Sequence, residues 1–317
     1  MNIQEAAARL RDNVGKILVG SDNSCDLILM SLLVSGHILL EDVPGTGKTT
    51  LAKAIAQSLD LSFKRIQFTP DLMPSDLTGI HFYNQAKGIF EFRPGPLFSQ
   101  LVLADEINRA APRTQSSLLE AMEERQISIE GETHPLPFPF LVIATQNPVE
   151  NQGTFPLPEA QIDRFMIRLH PGYPDHDQAM IMLKRHAAAD FDAHLQPILD
   201  LQTLKELQRQ AQNVLIHDVL LDYILRLCEA TRQHEQILLG ISPRGALALV
   251  RCSKAMAAIH GRDYVLPDDI KECAIPVLAH RLVLGGLSLG AEFQAETLMQ
   301  QILDTAAVPT ELFRTAS

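Results

Sequence analysis

With 317 residues and 46% hydrophobic content, the chain is long enough for two domains and apolar enough to fill both cores. The longest apolar stretch, 27–40, is interrupted by Ser31, Ser35, Gly36 and His37, which argues against a membrane-spanning helix; the first residues, with Glu5, Arg9, Arg11 and Asp12, lack the apolar core of a signal peptide. A net charge of -11 argues against long-range attraction to nucleic acid or anionic membrane, and four widely spaced cysteines read as buried thiols of a cytoplasmic protein.

In chain order, 3–17 has the spacing of an amphipathic helix, with Ile3, Ala6, Ala7, Leu10, Val14 and Ile17 on one face, and Val19-Gly20 breaks it. A second helix over 23–34 leads into the stretch that organises the chain, His37-Ile-Leu-Leu-Glu-Asp-Val-Pro-Gly-Thr-Gly-Lys-Thr-Thr50. It reads as buried strand, glycine-rich loop and helix. In such a unit the loop N–H groups and the helix N-terminus face an anion, while Lys48 adds a full charge and Thr49 a hydroxyl for Mg²⁺. Pro44-Gly-Thr-Gly-Lys-Thr49 is therefore a phosphate-binding loop in its expected context, with Asp42 where a first glycine usually stands.

A strand is expected at 63–68. Alternation of Ile80, Phe82, Phe90 and Phe92 about a turn at 84–88 predicts a hairpin that either faces a partner or covers its own core. Leu101-Val-Leu-Ala104 is a buried parallel strand delivering Asp105 and Glu106 to the sheet edge, the first suited to holding Mg²⁺ and the second to activating water. After a helix over 114–124, Ile127 and Ile129 run towards a Glu130-Gly131 turn and predict a second hairpin. The strand 140–144 then ends in Thr145-Gln-Asn-Pro148, where Asn147 is either a site amide or a simple turn residue. Pro158 opens a short helix, a last strand follows at 165–169, and Gly172 closes a first domain of residues 1–172.

The remainder, 173–317, is expected to be all-helical, with helices at about 176–189, 201–212, 217–233, 243–259, 267–280 and 292–303. Ser242 and Pro243 place Arg244 in a first helical turn, where a cation opposes the dipole and calls for a phosphate or an acidic neighbour. The 11 histidines show no close metal-ligand spacing and read as solvated or satisfied.

Together the phosphate loop, Leu-Val-Leu-Ala-Asp-Glu-Ile-Asn-Arg109, Gln115-Ser-Ser-Leu-Leu-Glu-Ala-Met122, Ala-Thr-Gln-Asn-Pro148, Phe-Pro-Leu-Pro-Glu-Ala-Gln-Ile-Asp-Arg-Phe165 and Ser-Pro-Arg244 resemble a MoxR-type AAA+ ATPase. The resemblance implies a P-loop α/β core with a five-stranded parallel sheet of order 5-1-4-3-2, a C-terminal helical lid, and a homo-oligomeric ring, commonly a hexamer. It implies ATP and Mg²⁺ as cofactors. Val19 and Gly20 correspond to the adenine contact, with Ser21 where Gln is common. Pro44, Gly45, Thr46, Gly47, Lys48, Thr49 and Thr50 correspond to Walker A, and Asp105 and Glu106 to Walker B. Asn147 matches sensor 1, Arg164 the arginine finger acting on a neighbouring subunit, and Arg244 sensor 2; Arg109 is a second candidate for action across the interface. The hairpins match the two inserts of this clade. The implied role is chaperone-like remodelling of a client protein, with a von Willebrand A domain protein as a family partner. A helicase-like nucleic-acid motor and an ATP-dependent scaffold are the alternatives, and acidic composition disfavours the motor.

Overall fold

The computed structural model describes residues 1–41, 45–146, 153–187, 195–285 and 291–309. They form two compact units, Met1–Gln208 and Arg209–Ser317. The division falls later than the 172/173 boundary expected from the glycine and proline signals. Chain beyond 172 stays tied to the first unit: Arg185 Nη1 donates to Gly15 O at 2.8 Å, Ile198 N to Ser58 O at 2.7 Å, and Gln208 Nε2 to Leu32 O at 2.7 Å.

The first unit opens with α1 (Ile3–Gly15), capped by the Asn2 side chain, and α2 (Asp22–Leu33). Then come β1 (Ile38–Glu41), α3 (Lys48–Ser58), β2 (Phe63–Gln67), α4 (Pro74–Thr78), the hairpin β3 (Gly79–Asn84) and β4 (Ile89–Pro94), and β5 (Leu101–Asp105). Helix α5 (Pro112–Glu124) precedes the hairpin β6 (Gln126–Ile129) and β7 (Glu132–Pro135), and β8 (Leu141–Gln146), α6 (Glu159–Ile162), β9 (Ile167–Leu169) and α7 (His176–Ala187) follow.

Strands β2-β5-β8-β1-β9 pair in that order, all in parallel. Renumbered as core strands, this is the expected 5-1-4-3-2. Helices cover such a sheet, so its central strands read as continuous apolar runs. Period-two alternation sends Leu39, Val102, Ala104, Val142 and Ala144 into one buried cluster with Leu118, Leu119 and Met122 of α5. Both predicted hairpins form, with Ile80↔Arg93 and Ile127↔His134 among their paired residues.

The second unit holds the end of α8 (Leu201–Gln212), α9 (Asp218–Gln233), α10 (Pro243–Ile259), α11 (Pro267–Leu278) and α12 (Ala291–Thr305). It is a helical lid, except that β10 (Ile237–Leu239) pairs antiparallel with β11 (Val283–Leu284). Runs of two and three residues are too short to carry a readable alternation. All four cysteines are buried thiols outside any disulfide, and burial pushes Cys25 and Cys252 up to about 12, which leaves them unreactive. No helix among the described residues is long and apolar enough to cross a membrane.

His37, at the entry to β1, is a satisfied core histidine. Its Nδ1 accepts from Val142 N–H and its Nε2 faces Met122 O, both at 3.0 Å, so Nε2 carries the proton. Burial holds this imidazole at about 4, below the ordinary 6.5. Between those values the unfolded chain takes up a proton that the folded chain refuses, so the contribution is complete above the upper value and lost on acidification. In urea titrations, wild type should lose more stability than His37→Gln on going from about pH 7 to about pH 5, by up to about 1.4 kcal/mol per pH unit across the window.

Candidate functional site

The phosphate loop has the backbone its glycines permit. Gly45 and Gly47 have φ of 90° and 84°, left-handed values that cost side-chain-bearing residues about 1 to 2 kcal/mol. Gly47 caps α3, so the first-turn N–H groups of Lys48, Thr49 and Thr50 lie where no preceding helical turn can use them. A Cβ at Gly47 would sit 3.2 Å from Leu18 Cδ2, which brings the segment before Val19 and Gly20 against the loop. Gly20 also has a positive φ of 75°, and a Cβ there would overlap the Gln178 side chain at the start of α7. Pro44 lies outside the described residues.

The acids stand at the C-terminal end of β5, as alternation and strand length require. Asp105 Oδ1 accepts from the Thr145 hydroxyl of β8 at 2.6 Å, and Thr145 Oγ1 in turn accepts from Glu106 N–H at 2.8 Å. The other oxygen, Oδ2, accepts from Arg65 Nη2 at 2.6 Å and Nε at 3.0 Å. Glu106 itself adopts a left-handed backbone, φ 57° and ψ 52°, which turns the chain out of the strand into a 3-10 turn at Ile107–Arg109. Its carboxylate Oε2 is held by Gln67 Nε2 at 2.7 Å and lies 3.1 Å from Arg109 Nε. Two carboxylates are thus fixed side by side, one tied down on both oxygens and the other held mainly through one.

Asn147, expected beside these acids, falls outside the described residues, although β8 ends one residue earlier at Gln146. Arg164 follows α6 and donates through Nη1 to Leu119 O at 2.8 Å, in a pocket of about 330 Å³ lined also by Ser116, Glu120, Glu123, Glu124 and Gln161. It is therefore docked on its own α5. Arg244 belongs to the second unit, in the first turn of α10, where the Ser242 hydroxyl accepts from Gly245 N–H at 3.2 Å as the capping signal predicted.

Residues 37–167 match the model of the "ATPase family associated with various cellular activities (AAA)", and 229–304 match that of the AAA lid domain. The chain is 42% identical to Chaperone MoxR1 of Mycobacterium tuberculosis, over 93% of this chain and 80% of that one. It belongs to the MoxR family of AAA+ ATPases. The uncharacterized protein YeaC of Bacillus subtilis is 46% identical over 95% of this chain and 94% of its own. A crystal structure of a candidate ATPase from Cytophaga hutchinsonii superimposes with a TM-score of 0.88 at 42% identity, covering 97% of this chain and 96% of that one.

Three residues around the MoxR acids escaped the sequence reading: Arg65 and Gln67 on β2, and Thr145. A signal existed. Arg65 and Gln67 are alternate residues of one strand, hence on one face, at the end where an α/β sheet gathers its ligands. The donor set suits Mg²⁺, being a threonine hydroxyl and an oriented carboxylate without imidazole or thiolate. Thr145→Val keeps the volume but leaves Glu106 N–H without its acceptor. We expect it to lower stability by about 1 to 3 kcal/mol in denaturant titrations.

Proposed function

We propose that this MoxR-family chain hydrolyses ATP in a Mg²⁺-dependent reaction within a homo-oligomeric ring, a hexamer by family analogy, and uses the turnover to remodel or mature a client protein. The reading rests above all on the network that holds Asp105 and Glu106 together through Thr145 while Gln67 and Arg109 grip the Glu106 carboxylate.

In this reading Gly45 to Thr50 present backbone N–H groups to the phosphates, Lys48 neutralises charge on them, and Val19 and Gly20 contact the adenine. Thr49 and Asp105 hold Mg²⁺, which when bound screens the β- and γ-phosphate oxygens. Glu106 accepts the proton of the attacking water, and Asn147 orients that water. Releasing Gln67 from Glu106 frees the carboxylate oxygen for this work. Arg164 leaves its own α5 to reach the nucleotide of a neighbouring subunit, and Arg244 of the lid senses the γ-phosphate. The first hairpin then meets the client, a role favoured by its exposed Ile80, Phe82, Tyr83, Ile89 and Phe90. A cytoplasmic setting and a von Willebrand A domain partner belong to the same proposal.

Mg²⁺-ATP turnover per subunit, measured over a wide range of protein concentration, tests it. Specific activity should rise with concentration as active sites are completed between subunits. Arg164→Ala should lose about 10³ or more of the turnover. Glu106→Gln should keep nucleotide binding and lose hydrolysis. Flat specific activity, with Arg164→Ala equal to wild type, would sink the shared site and leave Arg109 or a non-hydrolysing scaffold. DNA-stimulated turnover with steep salt dependence would instead support a nucleic-acid motor.

A further inference from the structure

The two hairpins meet through their histidines. His81 lies on β3, while Glu132 and His134 stand two residues apart on β7 and so share a face of that strand. One ring nitrogen from each histidine and a Glu132 carboxylate oxygen all lie within 4.8 Å of one another. The Glu130 carboxylate adds a further oxygen 3.3 Å from His81 Nδ1.

A second observation is independent of this clustering. His81 Nδ1 and His134 Nε2 are shut off from solvent and make no well-formed hydrogen bond, their neighbouring carboxylate oxygens standing 3.3 Å (Glu130) and 3.8 Å (Glu132) away. Buried imidazole nitrogens are ordinarily satisfied, as both are in His37, so two unsatisfied ones on facing hairpins ask for a ligand. Their rings are held in place by aromatic neighbours. His134 stacks on Phe92 at 4.4 Å between centroids and 13° between planes, and His81 lies 5.4 Å from the same ring. By contrast, the carboxylates of Glu130 and Glu132 are well exposed, at 75% and 71%, and free to swing.

We propose that His81, His134 and Glu132 form a binding site for a divalent transition metal of the zinc class, with Glu130 or water completing the shell, and that the ion clamps β3 to β7. Two imidazoles with carboxylate oxygen suit Zn²⁺, Co²⁺ or Ni²⁺; Mg²⁺ and Ca²⁺ prefer all-oxygen shells, and Cu⁺ prefers sulfur. Ligand atoms around a tetrahedral zinc at about 2.0 to 2.2 Å stand about 3.4 Å apart, so closing the site requires no pair to contract by more than about 1.4 Å. The clamp would fix the sheltered face of the first hairpin against the second while its opposite face, Ile80 and Phe82, stays exposed. Nothing in this site depends on nucleotide hydrolysis.

The test uses the full chain stripped with EDTA, free of nucleotide and Mg²⁺, and titrated with Zn²⁺ against a chromophoric chelator. Wild type should bind one tight equivalent. Loss of a distal partner alone costs metal sites about 10- to 100-fold, so His81→Asn and His134→Asn should each weaken binding by about 100-fold or more, and Glu132→Gln by at least about 10-fold. Amide exchange gives a second readout that does not depend on the variants folding identically: Zn²⁺ should slow exchange at 79–94 and 126–135 in wild type. Absence of a tight equivalent in wild type, unchanged affinity in His81→Asn, or protection confined to other segments would each overturn the site.

Discussion

Parallel pairing of β5 with β8 is the constraint on which the candidate site depends. Its register, Leu101↔Leu141 through Ala104↔Ala144, carries Asp105 and Thr145 to the same level of the sheet edge. A one-residue slip would turn every side chain of β8 to the other face and remove the Thr145 hydroxyl from Asp105. That hydroxyl also accepts from Glu106 N–H, and so supports a left-handed residue that costs roughly 1 to 3 kcal/mol. The strain has a geometric use. It breaks the strand after Asp105 and points the next carboxylate towards Gln67 and Arg109 instead of back into the sheet.

Much of this is legible in the sequence alone. Three of the five core strands, β1, β5 and β8, carry apolar runs that only a sheet covered on both faces would tolerate, and the loop before α3 has the glycines that a strand-to-helix turn around an anion needs. Ser242 and Pro243 mark the start of α10 to the residue. Less legible is the limit of the first unit. Gly172 and Pro174 fall in the irregular chain between β9 and α7, but such a break says nothing about which side of it the following helix packs on, and Arg185 and Gln208 return to the first two helices through backbone carbonyls. Such contacts have no sequence periodicity.

Legibility fails in the same way at the site. Asp105 and Glu106 announce themselves at the end of an apolar run, whereas Gln67 and Thr145 reach Glu106 across 39 residues of sequence in either direction. Each is an ordinary polar residue at a strand end. Only the strand order makes them neighbours, and Arg65 joins them by strand alternation. Given the strand order, all three stand out as polar side chains near the C-terminal ends of strands that flank β5.

The hairpins show the opposite balance between local pattern and tertiary setting. Alternation of Ile80, Phe82, Phe90 and Phe92 established β3 and β4 but left open whether the pair faced a partner or its own core. Each answer holds for one face: His81 and Phe92 turn inward towards His134, while Ile80 and Phe82, on the other face of the ribbon, are exposed. A two-stranded ribbon is marginal alone, because one face at least must be buried for it to hold its shape. Here that face is built from two imidazoles and two phenyl rings, Phe92 and Phe98, instead of aliphatic side chains. Aliphatic residues would bury more cheaply, since they bring no ring nitrogens to satisfy. Histidines at such positions make sense where their nitrogens have work to do. The spacing rule that found no metal site among the 11 histidines considered only ligands close in sequence, and β3 and β7 meet only after both hairpins have folded.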